Sequence, residues 1–293
     1  MSQHESPVIF ECAGESLIGI VHMPDSPTGV GVLAMAAGGP QYRAGCCRQL
    51  LYLGRRLASQ GVAVMRFDYR GLGDASGAFT GFESTGPDIR AAIDAFKSSV
   101  PGLEHVVLWG GCDAASASMI HGHTFPEVSG MILGNPFAHS EETGERAMVK
   151  HYYRQRLMDP GFWKKLLRLQ FNPLPALKTV GRVVKRKLVG SGARTEQATN
   201  GGEASQSLPF QERMRIGVAG FDGHVLLLMS GRSLVSKEFD ELTRSDKRWA
   251  EAFERCGSVT RCDLPEADQA FSTIAARDEI IQIAGSWLTR TWP

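Results

Sequence analysis

Six short apolar runs, set apart by helix-length stretches, constrain this chain more than any other feature of its sequence. They cover residues 29–37, 62–69, 105–111, 129–136, 224–231 and 259–265, and they are rich in Val, Leu and Met. Runs of this length suit strands buried on both faces, whereas residues 46–60 and 87–100 between them carry apolar side chains at helical spacing. Such alternation builds a mostly parallel sheet joined by crossover helices. Residues 8–24 read as an antiparallel hairpin ahead of the first parallel strand, and residues 278–292 as a closing helix.

The rhythm breaks once. From about residue 140 to 220 no buried strand is evident, so the expected division is a core of 1–139 and 221–293 with an inserted helical cap of 140–220. The first part of the insertion is helical and aromatic-rich, and residues 190–207 are polar and Gly/Ser-rich, a composition expected to be flexible. Thirty-two basic residues against 31 acidic ones leave a net charge of +1, which gives no field directed at nucleic acid. The N-terminus lacks a secretory pattern and no stretch reaches bilayer-spanning length, so a cytoplasmic protein without an integral membrane segment is expected. The six cysteines are scattered rather than spaced as metal ligands, and no phosphate-binding Gly-rich loop occurs; neither a metal nor a cofactor is expected.

The segment VVLWGGCDAASASMI sets a buried strand, then Gly110-Gly111-Cys112-Asp113-Ala114, then a helix of small residues. This is a nucleophile elbow with Cys in place of Ser, and it specifies an α/β-hydrolase fold. Glycines and alanine are needed because so tight a turn strains the nucleophile's backbone and leaves no room for neighbouring side chains. The following helix aims its amides at the thiol, which leads to the expectation of a stabilised thiolate. An oxyanion hole would draw on the amide of Asp113 and on the loop Gly38-Gly39-Pro40, with Gly39 as second donor and Gly38 and Pro40 beside the substrate.

The sequence resembles the exosortase A system-associated hydrolases of type 1, within the α/β-hydrolase superfamily. Gly38 to Gln49, Arg66 to Gly77, Leu108 to Ala117, KHYYRQRL in the insertion and Leu226 to Phe239 carry the resemblance, which extends over nearly the whole chain. It implies a Cys nucleophile at Cys112, acyl-transfer chemistry and an association with bacterial envelope or exopolysaccharide gene sets. A working triad also needs a base and an acid to orient it. At the acid position of the family stands Ser233, in SGRSL, and at the histidine position Gln269, in ADQAFS.

Gln cannot shuttle a proton near neutral pH and Ser cannot orient an imidazolium by charge. The expected activity is therefore acyl transfer by Cys112 from a thioester or activated ester, as an acyltransferase or condensing enzyme in preference to a simple hydrolase. Two alternatives stay open: a non-covalent pseudo-hydrolase that binds a small molecule, and a (thio)esterase with a relocated base, for which His139 is the first candidate. Arg43 is a candidate for an acidic substrate group or a carrier's phosphopantetheine, and His151 and Tyr152 in the insertion for substrate contact. The expected partner is a small-molecule or carrier-protein-borne acyl substrate.

Overall fold

The computed structural model describes residues 4–37, 41–139 and 208–293. All of these but Leu208 belong to one unit of the chain, residues 1–144 with 209–293. The expected cap lies outside the described residues except for its last stretch, 208–220.

Eight strands form one sheet: β1 His4–Cys12, β2 Glu15–Met23, β3 Val30–Met35, β4 Ala63–Phe67, β5 His105–Gly111, β6 Val128–Gly134, β7 His224–Ser230 and β8 Ser258–Leu264. Their order is β1-β2-β4-β3-β5-β6-β7-β8. The β1–β2 and β2–β4 pairs are antiparallel and the other five are parallel. The hairpin between β1 and β2 closes on Ala13 (φ 51°) and Gly14 (φ 83°), two left-handed residues of the kind a two-residue hairpin loop requires.

Seven helices are described: α1 Gln49–Ala58, α2 Gly86–Ser99, α3 Asp113–His121, α4 Phe210–Ala219, α5 Leu234–Ser245, α6 Lys247–Glu254 and α7 Ile274–Thr291. They cover both faces, which is why the central strands are apolar throughout. Along β5, Val106 and Leu108 enter the core that takes Ile89, Ile93 and Phe96 of α2, whereas Val107 and Trp109 enter the opposite core with Leu53 and Leu57 of α1 and Ile280 and Leu288 of α7.

Because β3 is flanked by β4 on one side and β5 on the other, the sheet has a topological switch point between β3 and β5. Ligands of open α/β sheets gather outside the carboxyl ends of strands at such a point. Met35 pairs with Gly110 there, so the strand ends leading to residues 36–37 and to Cys112 lie side by side.

Two boundaries differ from the sequence reading. The helix expected over 46–60 starts only at Gln49, since Cys47 (φ 51°) and Arg48 (φ 59°) are left-handed and cannot continue a right-handed helix. Phe210–Ala219, read as part of the insertion, is α4 and packs on the elbow helix α3, so closely that a Cβ at Gly217 would lie 1.9 Å from the carbonyl oxygen of Met119. Gly217→Ala is accordingly expected to cost about 3 kcal/mol, the upper range for overpacking. It would appear as a lower urea midpoint with an unchanged slope.

Candidate active site

Cys112 sits between β5 and α3 with φ 54° and ψ −121°, a conformation that costs a non-glycine residue on the order of 1–3 kcal/mol. The surroundings hold it there. Its N–H donates to the Gly134 carbonyl (2.8 Å), while its carbonyl accepts from Phe137 N (3.1 Å), Ala115 N (3.1 Å) and Ser116 N (3.2 Å). The spacing of small residues has a direct steric cause. A Cβ on Gly110 would lie 2.5 Å from the carbonyl carbon and oxygen of Ala114, whereas one on Gly111 meets nothing closer than the Gly134 oxygen at 4.0 Å. Position 110 must therefore be glycine, whereas position 111, directly before the nucleophile, has room for a side chain.

Cys112 opens onto a cavity of about 300 Å³ at the switch point. Met35, Leu50, Phe82, Trp109, Phe137 and Phe271 supply most of its apolar wall, and Gln41, Gln49 and Gln269 add amides. Its described lining contains no Lys, Arg or His, and the Asp113 carboxyl is its one acidic side chain.

Gln269 and Ser233 meet beside the nucleophile. Ser233 caps α5, accepting from Ser236 N (3.1 Å), and donates its hydroxyl to Gln269 Oε1. With Oε1 so engaged, the amide nitrogen of Gln269 is the end left to act on the thiol; it is buried without a hydrogen-bond partner. The nearby Gln269 side chain draws the Cys112 thiol toward its ionised form. Ser233 and Gln269 are thus joined by a hydrogen bond beside Cys112, and neither is a base near neutral pH.

The loop bearing Gln269 is tied down by Asn135, a fully buried residue at φ 45°. Asn135 Nδ2 donates to the Gln269 carbonyl (2.9 Å) and to Ser230 Oγ (2.7 Å), and its Oδ1 accepts from Ser230 N (2.8 Å). Ser230 Oγ in turn donates to the Asp268 carbonyl (2.7 Å), and Gln49 Nε2 to that of Ala270 (3.3 Å). The Asp268 carboxylate accepts from Ser272 N (2.8 Å) and the Ser272 hydroxyl, which hold it below its usual range.

The expectation of a stabilised thiolate is corrected by this environment. Burial pushes the Cys112 thiol above its ordinary value and the neighbouring Asp113 carboxylate pushes it further; the Asp113 amide and the Gln269 side chain pull the other way without prevailing.

The strand order, the switch-point cavity and the strained turn after β5 together decide the architecture. The fold is the α/β-hydrolase fold. An esterase of Pyrococcus furiosus superposes with a TM-score of 0.64 at 13% identity, over 99% of this chain and 92% of that one. Est1E of Butyrivibrio proteoclasticus, determined with ferulic acid bound, gives 0.59 at 13% identity over 97% and 98%. GrgF, an α/β-hydrolase from a Penicillium species, gives 0.62 at 13% identity over 99% of each chain. No family model matches the sequence. No curated protein matches it either.

Other residues singled out in the sequence fall elsewhere on the α/β-hydrolase frame. His139 Nδ1 is bonded to Glu238 Oε1 (3.1 Å) and Oε2 (3.2 Å), a half-exposed ring on a carboxylate whose side chain is 3% exposed. It does not line the cavity; Phe137, which does, has its ring 6.3 Å away. Arg43, expected to face an acidic substrate group, bonds Asp68 and also Asp74 (2.7 Å) and is likewise absent from the lining. Gly38, Gly39, Pro40, His151 and Tyr152 lie outside the described residues. No group of three or more metal-ligating side chains occurs among the described residues, and none of their helices is long and apolar enough to cross a membrane.

Asp113 and Gln269 act on the same thiol with opposite sign. Labelling of Cys112 by an uncharged alkylating agent is therefore expected to rise with pH toward a midpoint above that of free cysteine. At pH 8, Asp113→Asn should speed it and Gln269→Ala slow it, each about three- to tenfold. Peptide-resolved alkylation kinetics check both signs.

Proposed function

We propose that this chain is an acyl-transfer enzyme in which Cys112 takes an acyl group from a thioester or activated ester and passes it to an acceptor other than water. The observation that carries the proposal is the Ser233–Gln269 hydrogen bond beside Cys112, a pair in the triad position neither member of which can remove a proton from water. Its resemblance to the type 1 exosortase A system-associated hydrolases supports Cys112 as nucleophile, and the esterases among its structural neighbours support acyl chemistry at this edge of the sheet.

In the first half-reaction the Cys112 sulfur attacks the carbonyl carbon, the acyl–S or acyl–O bond of the donor breaks, and the thiol proton leaves with the donor's thiolate or alkoxide. The Asp113 amide, with that of Gly39 as second donor, would meet the carbonyl oxygen as it gains charge. Gln269 offers an N–H to sulfur while sulfur carries charge, both on attack and on departure. Water, a very weak acid, needs a base to compete for the acyl enzyme, and Gln269 offers none. A thiol or amine acceptor brings its own nucleophilicity.

The cavity favours an uncharged, apolar acyl group. A carboxylate would meet apolar walls and the Asp113 carboxylate with no cation among the described lining residues to offset its desolvation.

A second reading, a (thio)esterase with a relocated base, draws on the bond between His139 Nδ1 and the buried Glu238, which would orient the ring and leave Nε2 to act. It requires His139→Asn to abolish turnover.

Incubation with an apolar acyl thioester, followed by intact-mass measurement, is expected to show one acyl group per chain, located on Cys112 and absent from Cys112→Ala. Ser233→Asp combined with Gln269→His should then hydrolyse that adduct about a hundredfold faster, the lower range for general-base catalysis. Turnover without an adduct, retained in Cys112→Ala, would mean that the pocket works non-covalently and that the proposal is wrong.

A further inference from the structure

Cys46 and Cys47 form a second thiol centre on the rim of the cavity. Neighbouring residues of an extended chain point to opposite sides. Here the backbone folds back on itself, with Gly45 at φ 72°, Cys47 at φ 51° and Arg48 at φ 59°, and this brings the two sulfurs to 3.7 Å. The turn is fixed at both ends by Gly45 N to the Tyr42 carbonyl (2.8 Å), Arg48 N to that of Gly45 (3.1 Å) and Leu50 N to that of Ala44 (3.0 Å). The two thiols differ in access. Cys46 lines the cavity and is half-buried, whereas Cys47 is exposed.

We propose that Cys46 and Cys47 are a reversible two-electron redox site, oxidised by a low-molecular-weight disulfide of the glutathione class. The exposed Cys47 attacks one sulfur of the external disulfide, whose S–S bond breaks and releases one thiol carrying the Cys47 proton. Cys46 then attacks the Cys47 sulfur of the mixed disulfide, forming the Cys46–Cys47 bond and releasing the second thiol with the Cys46 proton. Two protein thiols are oxidised, one small disulfide is reduced to two thiols, and no other reactant is needed.

Geometry also sets the direction of ease. Adjacent Cα atoms are about 3.8 Å apart across a trans peptide, below the usual disulfide range of about 4.4–6.8 Å, and a bond closed at such a separation is the more readily reduced. Burial, the neighbouring Cys47 and the Asp268 carboxylate push the Cys46 thiol upward, consistent with the more exposed Cys47 as the first to meet an external disulfide. Closure draws the Cys46 sulfur, part of the cavity wall, from 3.7 Å to bonding distance of Cys47, so oxidation state and cavity shape are linked. This site goes beyond the acyl chemistry of Cys112 and does not depend on it.

Cys262 is an internal control, a half-exposed thiol with no cysteine beside it in sequence. The native full-length chain would be treated with glutathione disulfide, quenched in acid, digested and mapped by mass. The peptide with residues 46–47 should lose two hydrogens and carry no glutathione, whereas Cys262, where it reacts, should keep one. Reduced glutathione should restore the pair, and Cys46→Ser should trap glutathione on Cys47. A pair that stays fully reduced, or that holds glutathione without closing, overturns the proposal.

Discussion

The left-handed backbone of Cys112 is the constraint on which the rest of the site depends. It exists because β5 ends against β6, where the Gly134 carbonyl receives the Cys112 N–H, and because Phe137 and the first turn of α3 close on the Cys112 carbonyl. Four hydrogen bonds from three elements offset a conformation costing on the order of 1–3 kcal/mol. The sulfur is thereby raised out of the sheet at the one edge where strand order leaves a crevice. Move any of these supports and the thiol, the Asp113 amide and the cavity lose their common geometry.

Around that turn the described residues set neutral amides and hydroxyls, with the Asp113 carboxylate the one charged group of the described lining. The Ser233 hydroxyl orients Gln269 much as a carboxylate orients an imidazole, yet no link in the series can accept a proton near neutral pH. Asn135 ties the Gln269 backbone to β7, with one hydrogen bond to the Gln269 carbonyl and two exchanged with Ser230, while Ser233 holds the side-chain amide. Such positioning suits a group that stabilises charge on sulfur. On the proposed acyl-transfer reading, the same burial that raises the thiol would also shield an acyl enzyme from bulk water.

Much of this was legible in the sequence, for a physical reason. The elbow needs its small residues within one contiguous stretch, Gly110 to Ala114, so sterics write it locally. The parallel sheet is equally plain, because strands buried on both faces read as unbroken apolar runs. Asn135 was not legible, since its partners Ser230 and Gln269 lie 95 and 134 residues away and meet it only when β6 and β7 pair. Arg43 showed its charge but not its partners, Asp68 and Asp74, which the fold brings from the turn after β4. The expectation of a thiolate failed on the same ground: the helix N-terminus is a local feature, whereas the burial that outweighs it is a property of the assembled cavity. The late start of α1 also escaped the pattern, because helical spacing continues through Cys47 and Arg48 although their backbone does not.

The central claim, that Cys112 captures acyl groups but lacks a base to release them to water, is tested most directly by pre-steady-state kinetics with an apolar acyl thioester. The account predicts a burst of released thiol equal to the concentration of chains, followed by a slow phase whose rate rises in proportion to an added thiol or amine acceptor. Sustained turnover in water at the burst rate, unchanged by acceptor, would contradict it.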